Sequence, residues 1–341
     1  MEKVFNTNVF IASTPYHIIV SCAFMKNGDY LIIEDNDSID KYILDEYAKK
    51  KFNDKIIYVD YYRDLFGKDF FKAKRNFNKI TKKLNSIEIT NIYAFNDAEP
   101  YVQYLFKYYK KCNCCILEEG IGLYNNMYHR KKCKKIIYGK IFFGFWYTII
   151  YRIGEYKYTN TILPKNANLL TKQQLEKKVI FENYKNVSEL LKKSNTTLKR
   201  KVWYISQPLV EDEICDREMY DNFFEKIINV TSKNNIKIAL KPHPRENKDK
   251  YSKYCDNIEI IDKKGIPFEL LLDTSEKVYL FTISSSSVFK FNENSNVNIY
   301  FLHELIQTKI DYSNIYGKKD KSDIVNSIEE FEEIIKGIKN E

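Results

Sequence analysis

The stretch Leu240-Lys241-Pro242-His243-Pro244-Arg245-Glu246 places an imidazole between two prolines, with a lysine and an arginine alongside. Proline fixes its own φ and biases the residue before it away from helix, so His243 is expected on a stiff loop. A histidine held there among cations can grip an anion or move a proton. The same residues also suit a turn whose histidine merely caps a strand, so their company decides. In Leu117-Glu118-Glu119-Gly120-Ile121-Gly122 two adjacent carboxylates repel, and partial burial raises a carboxyl pKa, which suits a general base beside a glycine that a substrate can approach. An ordinary acidic turn has the same composition. In Gly265-Ile266-Pro267-Phe268-Glu269-Leu270-Leu271-Leu272 the proline opens a short helix, and Glu269 in its first turn can hold ribose hydroxyls or simply favour the helix N-terminus. In Phe281-Thr282-Ile283-Ser284-Ser285-Ser286-Ser287-Val288-Phe289 four serines follow a strand and are expected to open a helix, either as donors to a phosphate or as a serine-rich cap. No Gly-x-Ser-x-Gly elbow surrounds them, which argues against a hydrolase nucleophile.

These groups need strands that end where they begin. In the first half, Val9 to Ala12, Tyr30 to Ile33, Lys55 to Val59, Ile89 to Phe95 and Cys114 to Leu117 read as short apolar strands separated by amphipathic stretches. Strands resume at Val202 to Ile205, Ile236 to Leu240, Ile258 to Ile261, Lys277 to Phe281 and Val297 to Leu302. Such alternation predicts parallel sheets covered by helices, and ligands of open α/β sheets bind beyond the carboxyl ends of the strands. A lysine-rich, weakly patterned region from about Leu163 to Arg200 puts a domain boundary near residue 195. The expected domains are 1–195 and 196–320. A terminal amphipathic helix follows over 321–341, with Ser322 and Asp323 as candidate caps before Ile324, Val325, Ile328, Phe331, Ile334, Ile335 and Ile338.

The chain has 341 residues and 44% hydrophobic content, enough for two cores. Its net charge of +9 favours an anionic partner such as a nucleotide or a membrane surface. No nucleic-acid partner is expected, because the lysines are spread over surface helices and no recognition signature appears. Seven cysteines, and an N-terminus without a charged-then-apolar export pattern, point to a reducing cytoplasm. Cys112, Cys114 and Cys115 run into a strand, and with no second ligand pair at metal spacing they are expected to pack in the core. Asp35-Asn36-Asp37 reads as a polar loop after a strand. From Arg130 to Lys135 a basic run precedes the aromatic-rich segment Ile136 to Ile150, which suits a peripheral membrane contact, a buried helix or a homodimer surface.

Taken in order, the acidic pair with glycine, His-Pro, Pro-Phe-Glu and Ser-Ser resemble the motif set of bacterial sialyltransferases. The likeness is closest to family 52 glycosyltransferases, which include lipooligosaccharide and capsule sialyltransferases, and more distant to family 80 and to bacterial polysialyltransferases. Ser13-Thr14-Pro15-Tyr16-His17, after the first strand, resembles that family's amino-terminal signature. The resemblance implies an α/β GT-B fold, two Rossmann-like domains facing across a deep cleft, and an inverting enzyme that needs neither metal nor cofactor. It would move sialic acid from CMP-sialic acid to a galactose-terminated surface glycan, through an α2,3 linkage. It implies that His243 bonds the departing phosphate and could act as general acid, with Ser286 and Ser287 holding that phosphate and Ser285 beside them in the substrate site. Glu269 would bind the ribose, Lys241 and Pro244 would line the nucleotide pocket, and Thr14, Pro15, Glu118 and Gly120 would lie on the substrate side. Glu119, the acid before glycine, would be the base; Asp212, after Gln207-Pro208-Leu209-Val210-Glu211, is the reserve candidate. Two other readings keep the fold, a transferase using another CMP- or UDP-sugar and a non-catalytic nucleotide-sugar-binding protein.

Overall fold

The computed structural model describes residues 7–35, 39–60, 70–95, 100–109, 111–117, 167–168, 190, 197–263, 265–291, 294–310, 312 and 324–341. The chain divides into two compact units, Met1–Lys193 and Ser194–Glu341. The acidic turn Glu118-Glu119-Gly120, the segment 130–150 and the expected caps Ser322 and Asp323 lie outside the described residues.

In the first unit β1 (Thr7–Ala12), β2 (Tyr30–Asp35), β3 (Ile56–Asp60), β4 (Ile89–Ala94), β5 (Asn113–Ile116) and β6 (Ala167–Asn168) form one sheet in the order β3-β2-β1-β4-β5-β6. Every pairing is parallel. β1 is buried along its whole length, as expected of a central strand covered on both faces. Helix α1 (Pro15–Phe24) begins where Thr14 Oγ1 accepts the His17 N–H at 3.2 Å and Pro15 occupies the first turn, which needs no donor there. Helices α2 (Phe70–Leu84) and α3 (Pro100–Tyr108) pack through Phe77, whose ring stacks on Tyr104 at 4.0 Å. Cys112 is buried and donates its thiol to Ile89 O, and burial pushes the Cys115 thiol up to about 11, so both are protonated packing residues at neutral pH.

In the second unit β7 (Val202–Ile205), β8 (Ile238–Lys241), β9 (Ile258–Ile260), β10 (Val278–Thr282) and β11 (Val297–Phe301) form a parallel sheet in the order β11-β10-β7-β8-β9. The order reverses at β7, between β8 on one side and β10 on the other, and the carboxyl ends of strands at such a reversal are where ligands of open α/β sheets bind. Helix α4 (Arg217–Lys233) buries Tyr220, Phe223, Phe224, Ile227 and Ile228, with Phe224 against Tyr204 at 5.4 Å. The strand expected from Ile236 starts two residues later and runs one residue further. Ile236 N–H instead caps α4 on Thr231 O after Asn235 takes a left-handed φ of 57°, and Lys241 pairs with Ile205.

The terminal helix α5 (Ile328–Asn340) also starts later than expected, and Ser322 and Asp323 are not its caps. Ile324 pairs with Phe301 as a bridge and Val325 N–H bonds Phe301 O, which keeps that apolar pair extended. Ser327 is the cap, its Oγ accepting Glu330 N–H at 3.1 Å while Glu330 reaches back to Asn326 N–H at 2.8 Å. Phe331, Ile335 and Ile338 are buried, and Phe331 meets Phe281 of β10 edge-on at 5.3 Å. Each such burial contributes about 1.5–3 kcal/mol, so α5 belongs to the core of the second unit. Among the described residues no helix is long and apolar enough to cross a membrane.

Candidate functional site

Three loops gather at the carboxyl edge of the second sheet, following β7, β8 and β10. Thr282 Oγ1 donates to Ile205 O at 2.8 Å and accepts Ser285 N–H at 3.1 Å, so the serine loop starts against the end of β7. Gln207, two residues past β7, spans the gap with both ends of its amide. Its Nε2 donates to Ser284 Oγ and its Oε1 accepts Ser284 N–H, each at 2.7 Å. Ser285 and Ser287 hydroxyls share a hydrogen bond of 2.8 Å, and a six-residue 3-10 segment, Ser286–Phe291, follows in place of the expected α-helix. The loop therefore offers hydroxyls more than a helix dipole.

His243 stands on the loop after β8, half-buried, with its backbone N–H given to Glu246 Oε2 at 2.6 Å. Arg245 N–H donates to His243 Nδ1 at 3.2 Å. A nitrogen that accepts cannot carry the proton, so the neutral imidazole bears it on Nε2, as a donor. Burial, then the Arg245 cation, lowers the His243 pKa against the opposing pull of Glu246 and Asp212, which keeps the ring neutral at pH 7. Lys241, the last residue of β8, is buried and donates to Lys263 O at 3.1 Å. Burial pulls its pKa down to about 8, with Asp262 and Glu269 opposing the fall and Lys248 adding to it. A bound phosphate would restore the charge that burial penalises. Glu269 is itself buried, in the 3-10 turn Phe268–Leu270 that Pro267 opens.

The second unit thus holds Lys241, His243, Ser285 and Ser287 on neighbouring loops at one sheet edge, with Glu269 in the turn between β9 and β10. Pro244 lies exposed beside His243, and Ser286 opens the 3-10 segment. Asp212 is committed elsewhere: Oδ1 and Oδ2 accept from Arg245 Nη1 and Nη2 at 2.6 and 2.9 Å, so it could serve as a base only if that fork opened. In the first unit Thr14 and Pro15 are the cap and first residue of α1. Glu118, Glu119 and Gly120 follow directly on Leu117, whose N–H bonds Ala94 O at the end of β4, but are outside the described residues. Among the described residues no cluster of three or more His, Cys, Asp or Glu is placed to hold a metal ion.

Sequence reasoning overlooked the groups that hold these loops. Ser206 Oγ, past β7, donates to the same Glu246 oxygen that takes the His243 N–H. Lys250 and Tyr251 close on the other oxygen at 2.6 and 2.9 Å. The one local signal was the i,i+4 spacing of Glu246 and Lys250, which a helical surface pair would also show.

A family model described as alpha-2,8-polysialyltransferase (POLYST) matches residues 8–301. Among curated proteins nothing matches. Among solved structures, UDP-GlcNAc 2-epimerase from Methanocaldococcus jannaschii is similar at TM-score 0.53 and 13% identity, over 98% of this chain and 93% of that one. UDP-N-acetylglucosamine 2-epimerase from Rickettsia bellii follows at TM-score 0.50 and 12% identity, over 98% and 88%. An alpha/beta-galactoside alpha-2,3-sialyltransferase from Photobacterium phosphoreum gives TM-score 0.41 and 12% identity, over 93% and 96%, too distant to add to the fold assignment. The first two likenesses, with the two parallel sheets described above, make the fold GT-B with two Rossmann-like units. With the family model running from β1 to the end of β11 and the expected donor-side residues gathered at one sheet edge, the chain belongs to the alpha-2,8-polysialyltransferase family of glycosyltransferases that transfer sialic acid.

Proposed function

We propose that the chain moves sialic acid from CMP-sialic acid to a glycan hydroxyl, with inversion and without a metal ion. The observation that carries this is the set of donors on adjoining loops of the second unit: Nε2–H of His243, the ammonium of Lys241 and the hydroxyls of Ser285 and Ser287. Fixed donors of that kind stabilise the charge on CMP as the bond from the anomeric carbon to its phosphate oxygen breaks. Lys241 and Pro244 line the nucleotide pocket, Glu269 takes the ribose, and Ser285, Ser286 and Ser287 hold the phosphate. Glu119 accepts the proton of the attacking hydroxyl; Thr14, Pro15, Glu118 and Gly120 stand on the acceptor side. His243 acts through donation from Nε2, since its surroundings favour the neutral ring before the donor arrives.

The family name carries an α2,8 linkage, which supports an acceptor already ending in sialic acid; the motif order had favoured family 52 and a terminal galactose joined α2,3. We read the working place as the cytoplasmic side of a membrane, with 130–150 as its contact or as a homodimer surface. CMP release from CMP-sialic acid, followed in EDTA with lactose, with sialyllactose and with neither, tests the reading. Release stimulated by sialyllactose with a lengthened product supports sialic acid as acceptor, and stimulation by lactose supports galactose. No release under any condition, and no CMP binding, overturns the proposal in favour of another nucleotide sugar or a non-catalytic binding protein.

A further inference from the structure

We propose that Glu246 is the positioning residue of this site, a buried carboxylate that fixes the backbone of His243 and thereby aims its imidazole. This rests on the reading of His243 as donor to the departing phosphate. Glu246 and Lys250 side chains are 0% and 1% exposed, and their ion pair measures 2.6 Å. Four donors converge on the carboxylate. Oε2 accepts His243 N–H at 2.6 Å and the Ser206 hydroxyl; Oε1 accepts Lys250 and, at 2.9 Å, the Tyr251 hydroxyl, itself bonded to Tyr220 at 2.7 Å. Glu246 N–H returns to His243 O at 3.0 Å, which closes a turn over residues 243–246. Inside that turn Arg245 N–H meets Nδ1. The Glu246 side chain thus sets the start of the turn, its backbone N–H closes it, and Arg245 inside it fixes Nδ1 as the accepting ring nitrogen.

Stability alone does not call for this arrangement. A buried ion pair is often no better than apolar side chains of equal volume, because both charges lose their water. Apolar groups could hold β7 against β8, but none could accept the His243 N–H and the Ser206 hydroxyl on a single oxygen. Lys250 is in turn anchored by Glu211 at 3.3 Å, and Glu211 takes Asn247 N–H at 2.9 Å, so the loop is fastened on both sides of the turn.

Glu246→Gln keeps the shape but presents an amide N–H to neighbours of which His243 N and the Lys250 ammonium only donate. Two readouts separate positioning from plain stability. The first is the split between kcat and KM for CMP-sialic acid. The second is the titration of the His243 ring by NMR, in a chain with four histidines and assigned with His243→Asn. In the folded variant kcat is expected to fall about tenfold to a hundredfold, the cost of a small misplacement of a reacting group, with KM changed less than about threefold. The charges that face the ring are Arg245 and Lys241, which disfavour its protonation, and Glu246 and Asp212, which favour it; without Glu246 the titration moves to lower pH.

A kcat within about twofold of the parent, with the His243 titration unmoved, overturns the proposal even if the variant melts earlier. Should Glu246→Gln fail to fold, Ser206→Ala removes one donor from the same oxygen and must displace kcat and the titration if Glu246 positions the ring. The titration needs no sugar donor. A parent protein that releases no CMP therefore defeats the proposed activity, while the titration in Ser206→Ala, which keeps the Glu246 charge, still decides whether Glu246 positions the ring.

Discussion

His17 and His243 each follow a strand end beside a proline, and they meet different fates. His17 lies in the first turn of α1, is 1% exposed and stacks on Phe95 at 4.1 Å and 3°. Its Nδ1 accepts from Ser13 N–H at 3.2 Å, much as Nδ1 of His243 accepts from Arg245 N–H at 3.2 Å. The tautomer logic is the same, yet one ring is packed beneath a helix and the other is half-buried on a loop. A helix draws its first turn back onto the sheet, whereas Pro242 and Pro244 forbid a helix and leave His243 extended beyond β8. Presentation, more than residue type, separates a packing histidine from one that can reach a ligand.

The sharpest break of that comparison is His243→Ala beside His17→Ala. The first is expected to lower transfer about a hundredfold to a thousandfold with melting temperature nearly kept, as for loss of a fixed donor to a developing charge. The second, which removes a buried stacked ring, should cost about 2–4 kcal/mol of stability, read by denaturant unfolding. Equal losses of rate in both folded variants would show that burial does not distinguish them. The carboxylates come next. Glu119→Gln should remove activity at neutral pH about a hundredfold or more if it is the base. Asp212→Asn should cost only severalfold, by loosening Arg245 beside His243, and a reversed ranking would give the base to Asp212.

Lys241 predicts a pH effect. Its folded pKa of about 8 lies below the 10.5 of an unburied lysine, so between these values the unfolded chain holds more protons. Raising pH across that window should therefore add stability, while donor KM rises as the ammonium is lost; Lys241→Met should flatten both trends. The smallest expected effect is Ser287→Ala, a loss of about 0.5–1.5 kcal/mol in donor binding, measured as KM.

Strand positions were legible because each core strand is a short apolar run between polar breaks, from Val9 to Ala12 through Val297 to Phe301. The place of Lys241, His243 and Ser285 just at or past the ends of β8 and β10 was legible for the same reason, since the strand ends could be read from the apolar runs. The start of α5 was not, because Ile324 and Val325 fit a helical period equally well and only the presence of Phe301 alongside drew them into a bridge. Nor was the commitment of Asp212 to Arg245, two residues far apart in sequence.

The sequence by itself determined the class of fold, the described strands other than the two-residue β6 and which residues would stand at their ends, since hydrophobic period and proline geometry are local properties. Tertiary structure alone decided which oxygen meets which donor. Ser206 with Glu246, Gln207 with Ser284 and Asp212 with Arg245 are partners because the parallel order β10-β7-β8 sets three loops side by side. Hydrogen bonds act over about 3 Å, a distance that sequence separation does not encode.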